Sequence, residues 1–279
     1  MSTMIDNVIA GGGAGIIEIC LMYPTDVLKT RFQLATGVTQ SLPTVVNKMV
    51  AEEGWMVFYR GITAPIISEA PKRAVKFSAN EFYRGIFKNA DGKMDAKGYF
   101  ASGAAAGSTE AFVNCPFEVV KVRMQAPGSK ELYKSVPDAA KQIVMKEGPT
   151  ALYKGIEPQI YRNAAWNGLY FTITPTLREK MGGGRLNTFL AGALAGAVAT
   201  VASTPFDVVK SRMQNQAAGV NKYNFALPSL AVVVQEEGVR SMYKGLGMRL
   251  LRLGPGGGIM MIAFEFIQGQ LKSFREAKK

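Results

Sequence analysis

One pattern recurs three times in this chain: Pro24-Thr25-Asp26-Val27-Leu28-Lys29-Thr30-Arg31, Pro116-Phe117-Glu118-Val119-Val120-Lys121-Val122-Arg123, and Pro205-Phe206-Asp207-Val208-Val209-Lys210-Ser211-Arg212. The prolines stand 92 and 89 residues apart. Each copy carries glycines at matching upstream offsets (Gly11 and Gly15, Gly103 and Gly107, Gly192 and Gly196) and a glutamine nine residues past the proline (Gln33, Gln125, Gln214). A second pattern, acid-Gly and then aromatic-base-Gly, runs from Glu53 to Gly61, from Glu147 to Gly155 and from Glu237 to Gly245. Two patterns repeated in register override the one or two domains that 279 residues would otherwise suggest. The chain reads as three tandem units, residues 1–92, 93–183 and 184–279, making one integrated domain.

Composition narrows the class. With 48% apolar residues, 19% charged, 30 glycines and 14 methionines, the chain leans towards a membrane protein. A net charge of +12 suggests a polyanionic partner, and by charge alone nucleic acid, anionic lipid and an anionic solute stay open. There is no histidine, so histidine acid-base catalysis, histidine metal ligation and Ser-His triads are excluded. No cofactor or metal site is expected, nor an enzyme. Cys20 and Cys115 lie in apolar stretches and imply no disulfide framework. The first residues show no removable targeting peptide, so any address is expected to be internal.

Residues 7–23, and the equivalent stretches from about 99 and 188, are apolar, Gly-rich and about 20 residues long, the length of a bilayer crossing. Their small residues four apart suit close helix packing. A second set, residues 63–87, 158–177 and 248–271, carries Lys72, Arg73, Lys76, Arg162, Arg249 and Arg252, charges that in a membrane face a cavity or one another. Diluted by Gly and charge, no span is expected to stand out by hydropathy alone. Between the sets lie short amphipathic segments, 42–52, 136–146 and 226–236, read as surface helices. The expected fold is an all-α membrane protein: three repeats of two transmembrane helices plus a short surface helix, in a threefold pseudosymmetric six-helix bundle. Lys and Arg are richer in the odd-to-even connections, which places the short helices on the positive-inside face and both termini opposite.

The signature proline removes a backbone bond and kinks its helix. The acid and base that follow lie three apart on one helix face, where each acid can meet a neighbour's base. The expected ring pairs Asp26 with Lys121, Glu118 with Lys210 and Asp207 with Lys29, braced by Gln33, Gln125 and Gln214. Such a ring would close a pore when formed and open it when broken. Static pairing is the alternative.

Taken together, these patterns resemble those of the mitochondrial carrier family, over essentially the whole chain. The resemblance implies an inner-membrane exchanger with a central substrate site, gates on both sides and termini facing the intermembrane space. It also implies cardiolipin at the matrix-side helix ends, near Gly61, Gly155 and Gly245, and the chain is expected to be monomeric. On the cytoplasmic side the family pattern falls on Glu81 and Arg84, on Pro175 and Arg178, and on Glu265 and Gln268, an incomplete ring that implies a weak gate.

Substrate contacts in this family lie seven residues past the second-pattern glycine, which implies Ser68, Arg162 and Arg252. Glu69, Lys72 and Lys76 on one helix and Asn163, Trp166 and Asn167 on another flank them. Two arginines suit two separated carboxylates. The alternative for Arg252, not exclusive of solute binding, is pairing with Glu18 or Glu110, which occupy identical places in two repeats and could also carry a proton. Trp166 reads as packing, Arg73 and Arg249 as structural or lipid-facing, and Gly254-Pro255-Gly256-Gly257-Gly258 as close helix packing rather than a phosphate loop. Within the family the runs 18–24, 69–77 and 248–257 look like the 2-oxodicarboxylate carriers, which implies exchange of 2-oxoadipate and 2-oxoglutarate. Citrate or another di- or tricarboxylate remains the nearest alternative. A soluble helical-repeat adaptor binding polyanions conflicts with the apolar spans, and nucleic acid is not an expected partner.

Overall fold

The computed structural model describes residues 2–36, 41–88, 94–182, 184–216, 219–220 and 222–276. Among them are α1 (Ser2–Leu34), α2 (Leu42–Glu53), α3 (Thr63–Ile86), α4 (Ala96–Gln125), α5 (Ser129–Leu132), α6 (Val136–Glu147), α7 (Ile156–Lys180), α8 (Arg185–Asn215), α9 (Ala226–Glu237) and α10 (Leu246–Glu276). A short 3-10 helix precedes each of α3, α7 and α10. The single turn α5 has no counterpart in the sequence reading.

The long helices form a closed circle. α3 packs on α4, α4 on α7, α7 on α8, and α10 returns to α1. The signature-bearing helices α1, α4 and α8 also touch one another, and so converge at the end that carries α2, α6 and α9. Each runs on through its proline, Pro24, Pro116 or Pro205, for two turns or more. These are the turns that bear the acids and bases. Asp95 opens α4 by accepting from the Gly98 amide at 2.7 Å, and Ser135 opens α6 by accepting from the Asp138 amide at 3.3 Å.

Burial is inverted relative to a water-soluble protein. Glu69, Glu110, Asn163, Asn167, Asp207 and Lys210 are buried, whereas Leu21, Ile67, Phe82, Phe112, Leu194, Ile262 and Phe266 are exposed. Small apolar clusters, such as Tyr23, Val27, Met49 and Phe58, or Val119, Ala139 and Ile143, fasten each short helix beneath its own repeat.

Three sequence expectations change here. Among the described residues, two segments, Leu186–Asn215 and Val239–Leu271, are long and apolar enough to cross a membrane by length and composition, because each holds an apolar window with few charges. Close packing of the paired glycines holds for Gly103 and Gly107, where a β-carbon would sit 2.8 Å from the Asn167 and Asn163 carbonyl oxygens, but Gly11 has no neighbour within 4 Å. The reason is packing within the repeat: α4 lies closely against α7, whereas α1 makes little contact with α3. Of the glycines in 254–258, only Gly256 would bring a β-carbon close to a neighbour, 3.1 Å from Glu18 Oε1, and with Gly257 it lines the cavity wall.

Candidate functional site

Convergence of α1, α4 and α8 brings three acids to three bases. Lys121 reaches Asp26 at 2.7 Å, Lys29 reaches Asp207 at 2.6 Å, and Lys210 contacts Glu118. The chain thus joins residues 95, 178 and 92 positions apart into one ring.

The glutamines do not brace all three pairs. Gln33 donates to Asp207 Oδ2 at 2.8 Å, but Gln125 accepts from Thr30 at 2.7 Å and Gln214 donates to Gln159 at 3.3 Å. The second oxygens of the other two acids are already engaged. Arg252 contacts Asp26 Oδ1, and Asn114 donates to Glu118 Oε1 at 2.9 Å.

A further set of contacts fastens the ring from outside. Arg31, Arg123 and Arg212 pair with Glu53, Glu147 and Glu237, joining the two repeated patterns within each unit. Sequence reading found both patterns and overlooked this pairing, although their joint recurrence was the available signal. Arg123 also donates to the Gln214 carbonyl at 2.9 Å and Arg212 to the Gln33 carbonyl at 3.1 Å, each reaching the next signature helix. Hydrogen bonds from Arg123 bring the Glu147 carboxyl down to about 2, with Lys154 adding to them against the effect of burial. Burial pushes Glu237 upward, but hydrogen bonds from Arg212 and Lys244 outweigh it and hold this carboxyl at about 2.

Gly61, Gly155 and Gly245 have φ of 80°, 73° and 81°, the left-handed region. Each abuts the next signature helix, at Met124, Lys210 and Lys29 respectively, with a β-carbon position only 3.0–3.4 Å from its nearest neighbours. Beside Gly61 a groove of about 780 Å³ is lined by Arg60, Lys130 and Lys134, by exposed Trp55 and Met56, and by the start of α6.

Above the ring, two connected cavities of about 690 and 470 Å³ share Glu18, Asp26, Lys29, Lys72, Lys76, Arg162, Trp166 and Arg252 in their walls. Positive side chains outnumber carboxylates there. Arg162 donates to Asn163 Oδ1 at 2.6 Å and lies 3.7 Å from Glu118 and 3.6 Å from Asp207. Arg252 donates to Glu18 Oε1 at 2.8 and 3.0 Å while also contacting Asp26. The Glu18 pairing and cavity exposure therefore coexist.

Lys72 pairs with Glu69 at 2.7 Å, and Arg73 contacts the same carboxylate, so Lys72 is held by an ion pair while the cluster keeps one net positive charge. Lys76 is less committed: its ammonium lies 3.8 Å from Glu110 and 5.5 Å from the Trp166 ring. Trp166 packs on Tyr170 at 4.9 Å and donates to Thr200 at 3.2 Å. Asn163 donates to the Gly107 carbonyl at 3.0 Å while accepting from Arg162, and Ser68 donates to the Pro65 carbonyl at 3.1 Å. Both side chains, expected to bond a solute, are thus occupied within the protein. Asn167 donates to the Asn163 carbonyl at 3.0 Å, and its Oδ1 accepts no hydrogen bond from the described residues.

Arg249 is not lipid-facing. It lines the larger cavity, donating to Thr204 at 2.9 Å and Ser203 at 3.1 Å, with Asp207 at 3.8 Å. Arg73 likewise turns inward to Glu69 and Met260. A helical wheel for each helix alone misplaces both, because helix rotation within the bundle sets what each side faces.

At the far ends of α3, α7 and α10, no ion pair joins Glu81, Arg84, Arg178 and Glu265 among the described residues. Glu81, Arg178 and Glu265 are exposed, and Gln268 is half-buried. The Arg84 guanidinium rests over Tyr99 and Phe171 at 5.8 and 5.9 Å. Among the described residues, the ion pairs that close the cavity lie at the short-helix end.

Known proteins share this organisation. The chain is 44% identical over 272 residues to a probable mitochondrial 2-oxodicarboxylate carrier of Dictyostelium discoideum, covering 94% of this chain and 89% of that one. It is 37% identical over 284 residues to the mitochondrial 2-oxodicarboxylate carrier of Homo sapiens, covering 95% and 94%. Identity to the mitochondrial citrate transporter D of Aspergillus niger is 40% over 287 residues, covering 96% and 94%. The profile of the family described as mitochondrial carrier protein matches residues 1–91, 93–185 and 183–274, once per repeat. With three such matches across nearly its whole length, the chain belongs to the mitochondrial carrier family.

Proposed function

We propose that the protein exchanges 2-oxodicarboxylates, with 2-oxoadipate and 2-oxoglutarate as the leading pair, across the mitochondrial inner membrane. The observation that carries this reading is a cavity with Arg162 and Arg252 on different helices, closed below by three ion pairs. Two guanidinium forks suit the two carboxylates of a small dianion, and Lys76 supplies further positive charge. The relatives named as 2-oxodicarboxylate carriers support the 2-oxo group, which charge alone does not select.

In this reading one solute carboxylate displaces Glu18 and Asp26 from Arg252, and the other engages Arg162 beside Glu118. Both steps draw cations away from ring acids. Binding therefore offsets the cost of opening the ring, an empty carrier changes face slowly, and exchange dominates. The three short helices face the matrix and the termini face the intermembrane space. The apolar outer faces meet lipid, and the carrier works as a monomer. Grooves beside Gly61, Gly155 and Gly245 hold cardiolipin phosphates at helix starts. Glu18 and Glu110 balance charge in the cavity. The three repeats, 1–92, 93–183 and 184–279, act as one transport unit.

Purified chain in liposomes loaded with 2-oxoglutarate tests this by uptake of labelled 2-oxoadipate. Uptake is expected to need internal solute, to resist citrate and ADP, and to fall at least about 100-fold in Arg162→Ala and in Arg252→Ala. Strong competition by citrate would move the assignment to tricarboxylates, and wild-type uptake in both variants would displace the site.

A further inference from the structure

Asp207 is the most enclosed acid of the ring. Its side chain is 0% exposed, against 15% for Asp26 and 19% for Glu118. Both of its close donors, Lys29 at 2.6 Å and Gln33 at 2.8 Å, reach Oδ2 from α1. Separating α1 from α8 removes both at once, and a buried carboxylate stripped of its cation carries a heavy desolvation penalty.

Arg249 stands 3.8 Å from the same oxygen. Two hydroxyls of α8 hold it there, Thr204 at 2.9 Å and Ser203 at 3.1 Å. Each hydroxyl donates its single proton to the Thr200 carbonyl, at 2.6 and 3.2 Å, and so offers Arg249 only lone pairs. The guanidinium is thus tethered to the helix that carries Asp207, whereas Lys29 is not. Arg162 approaches the other oxygen, at 3.6 Å, but it is the arm assigned above to the solute.

Neither other repeat has these parts. The residues just before the signature proline are Met22-Tyr23 and Asn114-Cys115 where the third repeat has Ser203-Thr204. Pro65 and Gln159 occupy the place of Arg249, four residues past the second-pattern glycine.

We propose that Arg249 takes Asp207 over from Lys29 when the ring opens, so that this arm exchanges one cation for another while the other two arms separate. Arg249 is then a positioning residue of the transport cycle, and the assignment rests on the gate reading above.

Thermal unfolding of the full purified chain in detergent tests it through Lys29→Gln, Arg249→Gln and the double variant. Either single change leaves Asp207 Oδ2 one cation, with Arg162 still near Oδ1, so each Tm loss is small. The double loss should exceed the sum of the singles by about 5 °C, and adding Asp207→Asn should recover most of that excess. Additive losses, or an excess that Asp207→Asn does not relieve, would overturn the hand-over. In liposomes, Arg249→Gln should lower the maximal exchange rate about tenfold with little change in KM, and Arg249→Lys should restore it. Wild-type exchange by Arg249→Gln would also overturn it. Lys121→Gln, on an arm that Arg249 does not touch, separates the two readings. Wild-type exchange by Lys121→Gln would sink the ring reading, whereas exchange lost there together with additive Tm losses at Lys29 and Arg249 sinks the hand-over alone.

Discussion

The two ends of the bundle carry similar residue types and treat them differently. At the short-helix end, Asp26, Glu118 and Asp207 meet Lys121, Lys210 and Lys29 in a ring that is partly or wholly shielded from water. At the opposite end, Glu81, Arg178 and Glu265 are exposed, and Arg84 lies on aromatic rings. An acid and a base three residues apart recur on all three helices at the first end, whereas at the second only α3 has both, since α7 carries Pro175 before Arg178 and α10 carries Gln268 after Glu265. Convergence decides which faces come within bonding distance, and burial decides what the resulting pair is worth.

The sharpest test of this contrast is Asp207→Ala. It leaves Lys29 facing a dry site without its acid, and Arg162 and Arg249 each lose a neighbouring charge. A loss of about 3–5 kcal/mol in unfolding free energy is expected, read by denaturant or thermal unfolding in detergent. A loss below about 1 kcal/mol would mean the enclosed ring is no stronger than a surface pair.

A smaller effect is expected where the ring is fastened from outside, at Glu147 and Glu237. Pairing holds both folded carboxyls at about 2, below the ordinary 4.5. Their stabilisation is therefore complete above pH 4.5 and drains away as pH falls towards 2, when the folded carboxyls protonate. A Tm profile over pH 2–6 should flatten on its acid limb in Glu147→Gln. An unchanged acid limb would show that this pair does not govern stability there.

The smallest effect belongs to the open end. Glu265→Gln, on an exposed turn, should change stability by no more than about 0.5 kcal/mol in the same unfolding assay. A loss comparable with that of Asp207→Ala would erase the difference between the ends.

Much of this architecture was legible in the chain because repetition supplied an internal alignment. The second copy of a pattern shows which residues share a structural place, and the third excludes chance. Hydropathy was less informative. Polar residues that line a cavity dilute the apolar spans, and among the described residues only the third repeat carries windows that pass on length and composition. The candidate site was legible in part. Arg162 and Arg252 stand at equivalent offsets in their repeats, whereas Arg249 has Pro65 and Gln159 at its equivalents and so reads from sequence as structural or lipid-facing.

Sequence by itself determined the threefold plan, the helical class, the acids and bases available for pairing, and the family. Those follow from periodicity and local chemistry, which are properties of neighbours along the chain. Tertiary structure alone decided that Arg252 sits between Glu18 and Asp26, that Gln125 and Gln214 bond elsewhere than the ring, and that Arg249 turns inward onto Ser203 and Thr204. Each of these depends on how one helix is rotated against another, and a side chain several ångströms long amplifies a small rotation into a different partner.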